Sequence, residues 1–278
     1  MKDENKPFLK PEDYTEPACP FCDPTDRFPR RIPVGRVLSK LDGYVAARDT
    51  EGALRHLDYW YEEAKENRDE GGMLTVLCEK MGVLRKAELH GAAFAAADEA
   101  LALVKKTDLG DDPAAGTAYL NAGTVHSAAG DFEGALPLYE EAERIYRAVL
   151  KPDDARFAGL YNNKAVVLAA LERYGEARSC YHTALTVLEN KEDTALDRAV
   201  TYTNLANLSE AEKGLEEGER EIEDALNEAQ KLLDAPTVKS DAYAAFVFSK
   251  CAPVFAYYGR FFYAKELEER SKNIYEGS

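Results

Sequence analysis

The chain has 278 residues, 51 acidic against 35 basic for a net charge of −16, and 45% of it is hydrophobic. That apolar share supplies a core and excludes a disordered chain. The acidity argues against nucleic acid, whose phosphates need Lys and Arg, and against an anionic membrane surface. No run approaches the roughly 18 apolar residues of a membrane span, and no apolar secretory core follows Met1. The expectation is a cytoplasmic protein whose partners are proteins or peptides.

Residues 1–35 differ from the rest. Pro7, Pro11, Pro17, Pro20, Pro24, Pro29 and Pro33 fall there, and at that density no helix runs beyond a turn. The segment reads as an extended arm. Its charges balance, so the body carries the whole acidity, and an arm of this kind can occupy a groove as a tethered ligand. It holds Cys19-Pro20-Phe21-Cys22. A redox C-x-x-C needs a βαβ context, which is absent. Half a zinc site needs two further ligands, and the four histidines are scattered. Cys19 and Cys22 therefore define only a rival metal or thiol-redox reading, and no cofactor is expected.

From Arg36 onward apolar residues recur at helical spacing. Ala53, Ala93, Ala135, Ala177, Gly218 and Ala264 mark one register in six units, at steps of 40, 42, 42, 41 and 46. Turns are signalled within each unit at Arg48-Asp49, Leu89-His90-Gly91, Gly130-Asp131, Arg173-Tyr174-Gly175, Lys213-Gly214 and Gly259-Arg260, where glycine or a short polar residue supplies left-handed geometry. Helix stops separate the units at Asp111-Asp112-Pro113, Lys151-Pro152-Asp153-Asp154 and Asp234-Ala235-Pro236, with Asp or Thr capping the next start. The units lie near 36–70, 73–108, 114–151, 156–191, 197–235 and 240–277. Each is a helical hairpin with one apolar stripe per helix, which it cannot bury alone, so neighbours stack. The small register residues let helices approach closely.

Three segments carry the repeat most openly: Tyr119-Leu120-Asn121-Ala122-Gly123, Tyr161-Asn162-Asn163-Lys164-Ala165 and Tyr202-Thr203-Asn204-Leu205-Ala206. With Gly130-Asp131-Phe132, Ala135, Tyr139 and Ala142, this wording resembles the tetratricopeptide repeat. The period near 42 is similar to the longer variant found in kinesin light chains and many bacterial proteins. The resemblance implies an all-α, right-handed superhelix with first helices on its concave face. It further implies that the Asn of each segment faces the groove and clamps the backbone of an extended peptide. Those residues here are Asn121, Asn163 and Asn204, since one amide satisfies both the C=O and the N–H of a peptide unit. The other units depart from the pattern, with Ser39, Glu79 and Lys250 in that place. The alternative role for the amides is to bond a neighbouring helix and fix inter-repeat register. A carboxylate clamp of the chaperone-binding kind is disfavoured, because only Lys164 and Lys250 are basic near its register.

The last unit has nine rings between Tyr243 and Tyr263, suggesting an apolar pocket or a homo-oligomer face, and Pro253 is expected to kink its first helix. The acidic run from Glu210 to Asp224 reads as a solvated face. No P-loop, G-x-G-x-x-G, H-E-x-x-H or nucleophile elbow occurs, His126 reads as a core residue, and no catalytic residue is assigned. The expectation is a non-enzymatic scaffold holding an extended peptide or protein tail. Asn121, Asn163 and Asn204 would grip its backbone, Lys250 select an acidic group, and Phe246 and Tyr257 offer apolar contact. A peptide-sensing regulator is the nearest rival. One acting on DNA would carry a helix-turn-helix domain before the repeats, which the leading 35 residues cannot form.

Overall fold

The computed structural model describes residues 31–276. Among them the regular structure is helical: α1 (Val34–Ala46), α2 (Thr50–Glu66), α3 (Glu70–Lys86), α4 (His90–Lys106), α5 (Pro113–Ala128), α6 (Phe132–Val149), α7 (Arg156–Ala170), α8 (Tyr174–Leu188), α9 (Ala195–Leu233), α10 (Ala242–Tyr257) and α11 (Phe261–Glu276). A single 3-10 turn, Asp108–Asp111, follows α4. Helix α9 breaks at Gly214, whose φ of 79° and ψ of 172° are not helical, so its two limbs form a hairpin like the others. The result is the six stacked hairpins expected from the repeat. The arm proper, with Cys19 and Cys22, lies outside the described residues. Its predicted end does not: Ile32 is buried and its N–H donates to Asp69 Oδ2 at 2.8 Å, and α1 already begins at Val34.

Each hairpin turn places one residue at positive φ, and these are Arg48, Glu88, Gly130, Glu172, Gly214 and Gly259. Glycine fills this position in only three of the six. Gly91 and Gly175, which the sequence offered as turn residues, sit inside α4 and α8. The reversal comes earlier, at Glu88 and Glu172, which accept left-handed geometry at a cost that glycine would avoid. Helix starts are capped by aspartate where the sequence places one: Asp49, Asp69, Asp112, Asp131 and Asp241 each accept a backbone N–H from the first turn of the following helix.

All six register residues are buried. At Gly218 an added Cβ would lie 3.1 Å from the Ser209 carbonyl oxygen, so the two limbs of α9 meet backbone to backbone there. In the third hairpin the fit is finer. The Tyr139 and Tyr146 rings of α6 rest on Gly123 and Gly116 of α5, where an added Cβ would come within 2.7 and 2.4 Å of ring carbons. Their hydroxyls meet the adjacent threonines, Tyr139 donating to Thr124 at 3.3 Å and Tyr146 lying 2.9 Å from Thr117. A seven-residue spacing of Gly-Thr on one helix is matched by a seven-residue spacing of Tyr on the other.

Besides pairing within hairpins, first helices pack on first helices, α3 on α5, α5 on α7 and α7 on α9. The second helices do not pack on one another to that extent. The stack therefore curves with its first helices inside. Helix α10 runs unbroken through Pro253. The acidic run is not simply solvated: Glu212 pairs with Arg178 of α8 at 2.5 Å and Glu223 with Arg260, tying the fifth hairpin to its neighbours, while Glu221 pairs with Lys213 across its own turn at 2.5 Å.

Candidate functional site on the inner wall

The inner wall is built from α3, α5, α7, the first limb of α9, and α10. Asn121, Asn163 and Asn204 lie on its three middle helices, all half-buried. Their partners differ. The Asn163 amide donates to Thr124 Oγ1 of the preceding first helix at 3.5 Å, the long limit of a hydrogen bond. Asn121 bonds the Cys78 thiol, again on the preceding first helix. Burial still pushes that thiol up to about 12, so it stays neutral. Asn204 makes no side-chain hydrogen bond to another described residue. The stronger inter-repeat bond belongs to the neighbouring residue: Asn162 donates through Nδ2 to Thr201 Oγ1 at 2.9 Å, linking the fourth and fifth first helices. Two of the three amides thus touch the preceding helix, while Asn162 supplies the tighter link.

In the second unit, Glu79 takes the ladder position. Burial and the charge of Asp42 raise its carboxyl above the ordinary range, and Lys86 partly offsets them. Lys164 is not available to a ligand carboxylate. It forms a 2.7 Å ion pair with Glu143 of α6, and the side chains are 15% and 14% exposed. Glu143 also meets Arg147 at 2.6 Å and the Tyr161 hydroxyl at 3.2 Å. His126 bridges from α5 to Asp131 at 2.7 Å and packs edge-on against Phe94, fastening the hairpin turn.

Phe246, Lys250 and Tyr257 share one face of α10. Eleven residues return to nearly the same direction on a helix and span about 16 Å. Phe246 and Tyr257 are 40% and 65% exposed. The Tyr257 hydroxyl donates to Glu210 Oε1 at 2.5 Å and that of Tyr258 to Glu210 Oε2 at 2.7 Å, so α9 holds the rings from below while the Tyr257 face stays open. Lys250 Nζ lies 5.7 Å from the Phe246 centroid. The other rings of the last unit divide. Phe248, Phe255 and Tyr263 are core, whereas Phe261 and Phe262 project at the final turn, 69% and 95% exposed.

Sequence reasoning missed Lys86, Asn162, Thr201 and Glu210. The Asn162–Thr201 pair leaves a faint signal, two polar residues on first-helix stripes 39 apart. Lys86 leaves none, because its place beside α10 arises from curvature over four repeats. Among the described residues no cluster of His, Cys, Asp or Glu is arranged to hold a metal, and no helix is long and apolar enough to cross a membrane.

The tetratricopeptide repeat family matches residues 73–148 and 157–191. No curated protein matches the chain. Among solved structures, BtubC (BKLC) from P. vanneervenii is similar over 84% of this chain and 91% of its own, at 20% identity and a TM-score of 0.56. A single-substitution variant of nearly identical TPR-like repeats from Podosopora anserina, assigned as a kinesin light chain, is similar over 72% of this chain and 93% of its own, at 16% identity and a TM-score of 0.50. These likenesses are of fold.

Proposed function

Because the chain belongs to the tetratricopeptide repeat family, whose repeats are generally protein–protein interaction modules, we propose that it is a non-enzymatic scaffold that binds an extended peptide or protein tail along its inner wall. The observation that supports this reading is the packing of first helix on first helix, α3 on α5, α5 on α7 and α7 on α9, with Asn121, Asn163 and Asn204 at the same repeat position of α5, α7 and α9. Along such a row a peptide is held through its backbone, largely independently of its sequence. Phe246 and Tyr257 add apolar contact at one end and Lys250 selects an acidic group. The Asn163 bond to Thr124 is at the weak limit, so exchanging it for a peptide group costs little. The acidic sequence is compatible with a cytoplasmic location.

The test compares capture of partners from native cytosol by the full chain and by the triple Asn121→Ala, Asn163→Ala, Asn204→Ala variant, with melting curves of both. Loss of the captured partners with an unchanged melt supports the ladder. Unchanged capture with a lowered melt assigns the amides to inter-repeat register instead.

A further inference from the structure

The geometry points to a carboxylate-binding subsite formed jointly by Lys86 of the second hairpin and Lys250 of the sixth, which both approach the Phe246 ring. It rests on the peptide-binding reading above and names the ligand chemistry at one end of that groove.

Lys86 is the last residue of α3, and its Nζ lies 5.8 Å from the Phe246 centroid, against 5.7 Å for Lys250. Lysines 164 residues apart in sequence are thus brought to one ring by the curvature of the stack. Neither lysine has a close ion-pair or hydrogen-bond partner among the described residues, although the charge of Lys86 is felt by the Glu79 carboxyl on the same helix. Several other cations on this body are paired: Lys164 with Glu143, Arg178 with Glu212, Lys213 with Glu221, Lys239 with Asp193. In a chain of net charge −16, two ammonium groups directed at one exposed ring repel each other, and the π face compensates each only weakly. An anion seated at the ring edge gains from both.

The surroundings select the kind of anion. Along α10, Lys250 stands between two exposed rings, Phe246 one turn before it and Tyr257 two turns after it. Apolar seats on both sides of the charge suit a segment that continues in both directions. The ligand group is therefore an Asp or Glu side chain within a peptide, flanked by apolar residues, rather than a terminal carboxylate or a free inorganic anion.

The probe is the acetylated, amidated tripeptide Phe-Glu-Phe. Its comparisons are the Phe-Gln-Phe amide, Phe-Gln-Phe with a free terminal carboxylate, and inorganic phosphate. They are titrated into the full chain while the lysine ε-methylene signals are followed by NMR, with assignments from Lys86→Gln and Lys250→Gln. The Glu peptide should shift both signals together and bind about threefold or more tightly than the Gln amide, the scale of an exposed charge pair. Each Lys→Gln variant should remove that difference, and Lys86→Arg should keep it. Equal binding of the Glu and Gln amides, an unaffected Lys86→Gln variant, tighter binding of the free-carboxylate peptide, or displacement of the Glu peptide by phosphate at lower concentration would each overturn the subsite. Melting curves that match the parent exclude unfolding as the cause of any loss. If Lys86→Gln has no effect while the triple Asn variant still loses partners, the groove stands and the subsite falls. The reverse pattern removes the ladder and keeps the subsite.

Discussion

Lys164 and Glu143 form a 2.7 Å ion pair between the first helix of the fourth hairpin and the second helix of the third, at a seam where both side chains are mostly withdrawn from water. Burial opposes the charge on Glu143, but Lys164, Arg147 and the Tyr161 hydroxyl together outweigh it and hold the carboxyl below its ordinary range. A group whose folded pKa is depressed contributes stability that is present above its unfolded value, about 4.3 for Glu, and is lost as pH falls through the folded value. Lys164→Met should leave the carboxylate with Arg147 as its one cation and cost about 1 kcal/mol at neutral pH. In acid, where Glu143 is protonated in both proteins, the gap should narrow. Urea denaturation at pH 7 and pH 3 checks this; a gap that does not change with pH would mean that the lost packing of the lysine stem matters and the charge does not.

The turn residues give a second expectation. Arg48, Glu88 and Glu172 hold φ values of 55°, 59° and 58°, where a side chain crowds the backbone. Replacing any one with Gly should stabilise the chain by about 0.5–1 kcal/mol, the relief of strain exceeding the added entropy of the unfolded chain. Gly130→Ala, at φ 80°, should move the melting temperature the other way.

These turns also show what was legible in the sequence. The period, the hairpins and the buried register could be read because each repeat repeats its own local code: a small residue at the helix crossing, Asp at the helix start, a stripe of three-and-four spacing. Gly91 and Gly175 misled by three residues because the left-handed position tolerates Glu, so glycine is sufficient there without being required. Asn121, Asn163 and Asn204 could be placed at one repeat position on successive first helices from register alone. Their bonds to Cys78 and Thr124 could not, since a hydrogen bond depends on the rotation between adjacent repeats. Lys86 beside Phe246 is further out of reach, because it depends on that rotation summed over four repeats.

Helix α5 allows a contrast between two glycines in neighbouring units. At Gly123 a Cβ would stand 2.7 Å from the Tyr139 ring, so Gly123→Ala should overpack the hairpin and cost about 1–3 kcal/mol. At Gly159 of α7 nothing lies within 4 Å, and Gly159→Ala should stabilise by up to about 1 kcal/mol through helix propensity. Thermal unfolding of the two variants should shift in opposite directions. A tolerated Gly123→Ala would mean that the Tyr139 ring has room to move off its glycine seat.

Adjacent asparagines on α7 separate assembly from binding. Asn162 reaches forward to Thr201 at 2.9 Å, and Thr201 is fully buried. Thr201→Val keeps the shape and removes the acceptor, leaving the Asn162 amide without its partner, which should cost about 1–3 kcal/mol while partner binding is preserved. Asn163 reaches back to Thr124 at 3.5 Å, a bond too long to contribute much stability. Asn163→Ala should leave the denaturation midpoint nearly unchanged and weaken the capture of an extended partner. The two residues are consecutive, so their side chains leave the helix about 100° apart: one reaches the next repeat and the other the preceding one. If Asn163→Ala proves as destabilising as Thr201→Val while binding persists, both amides serve the stack, and recognition must be sought on α10 alone.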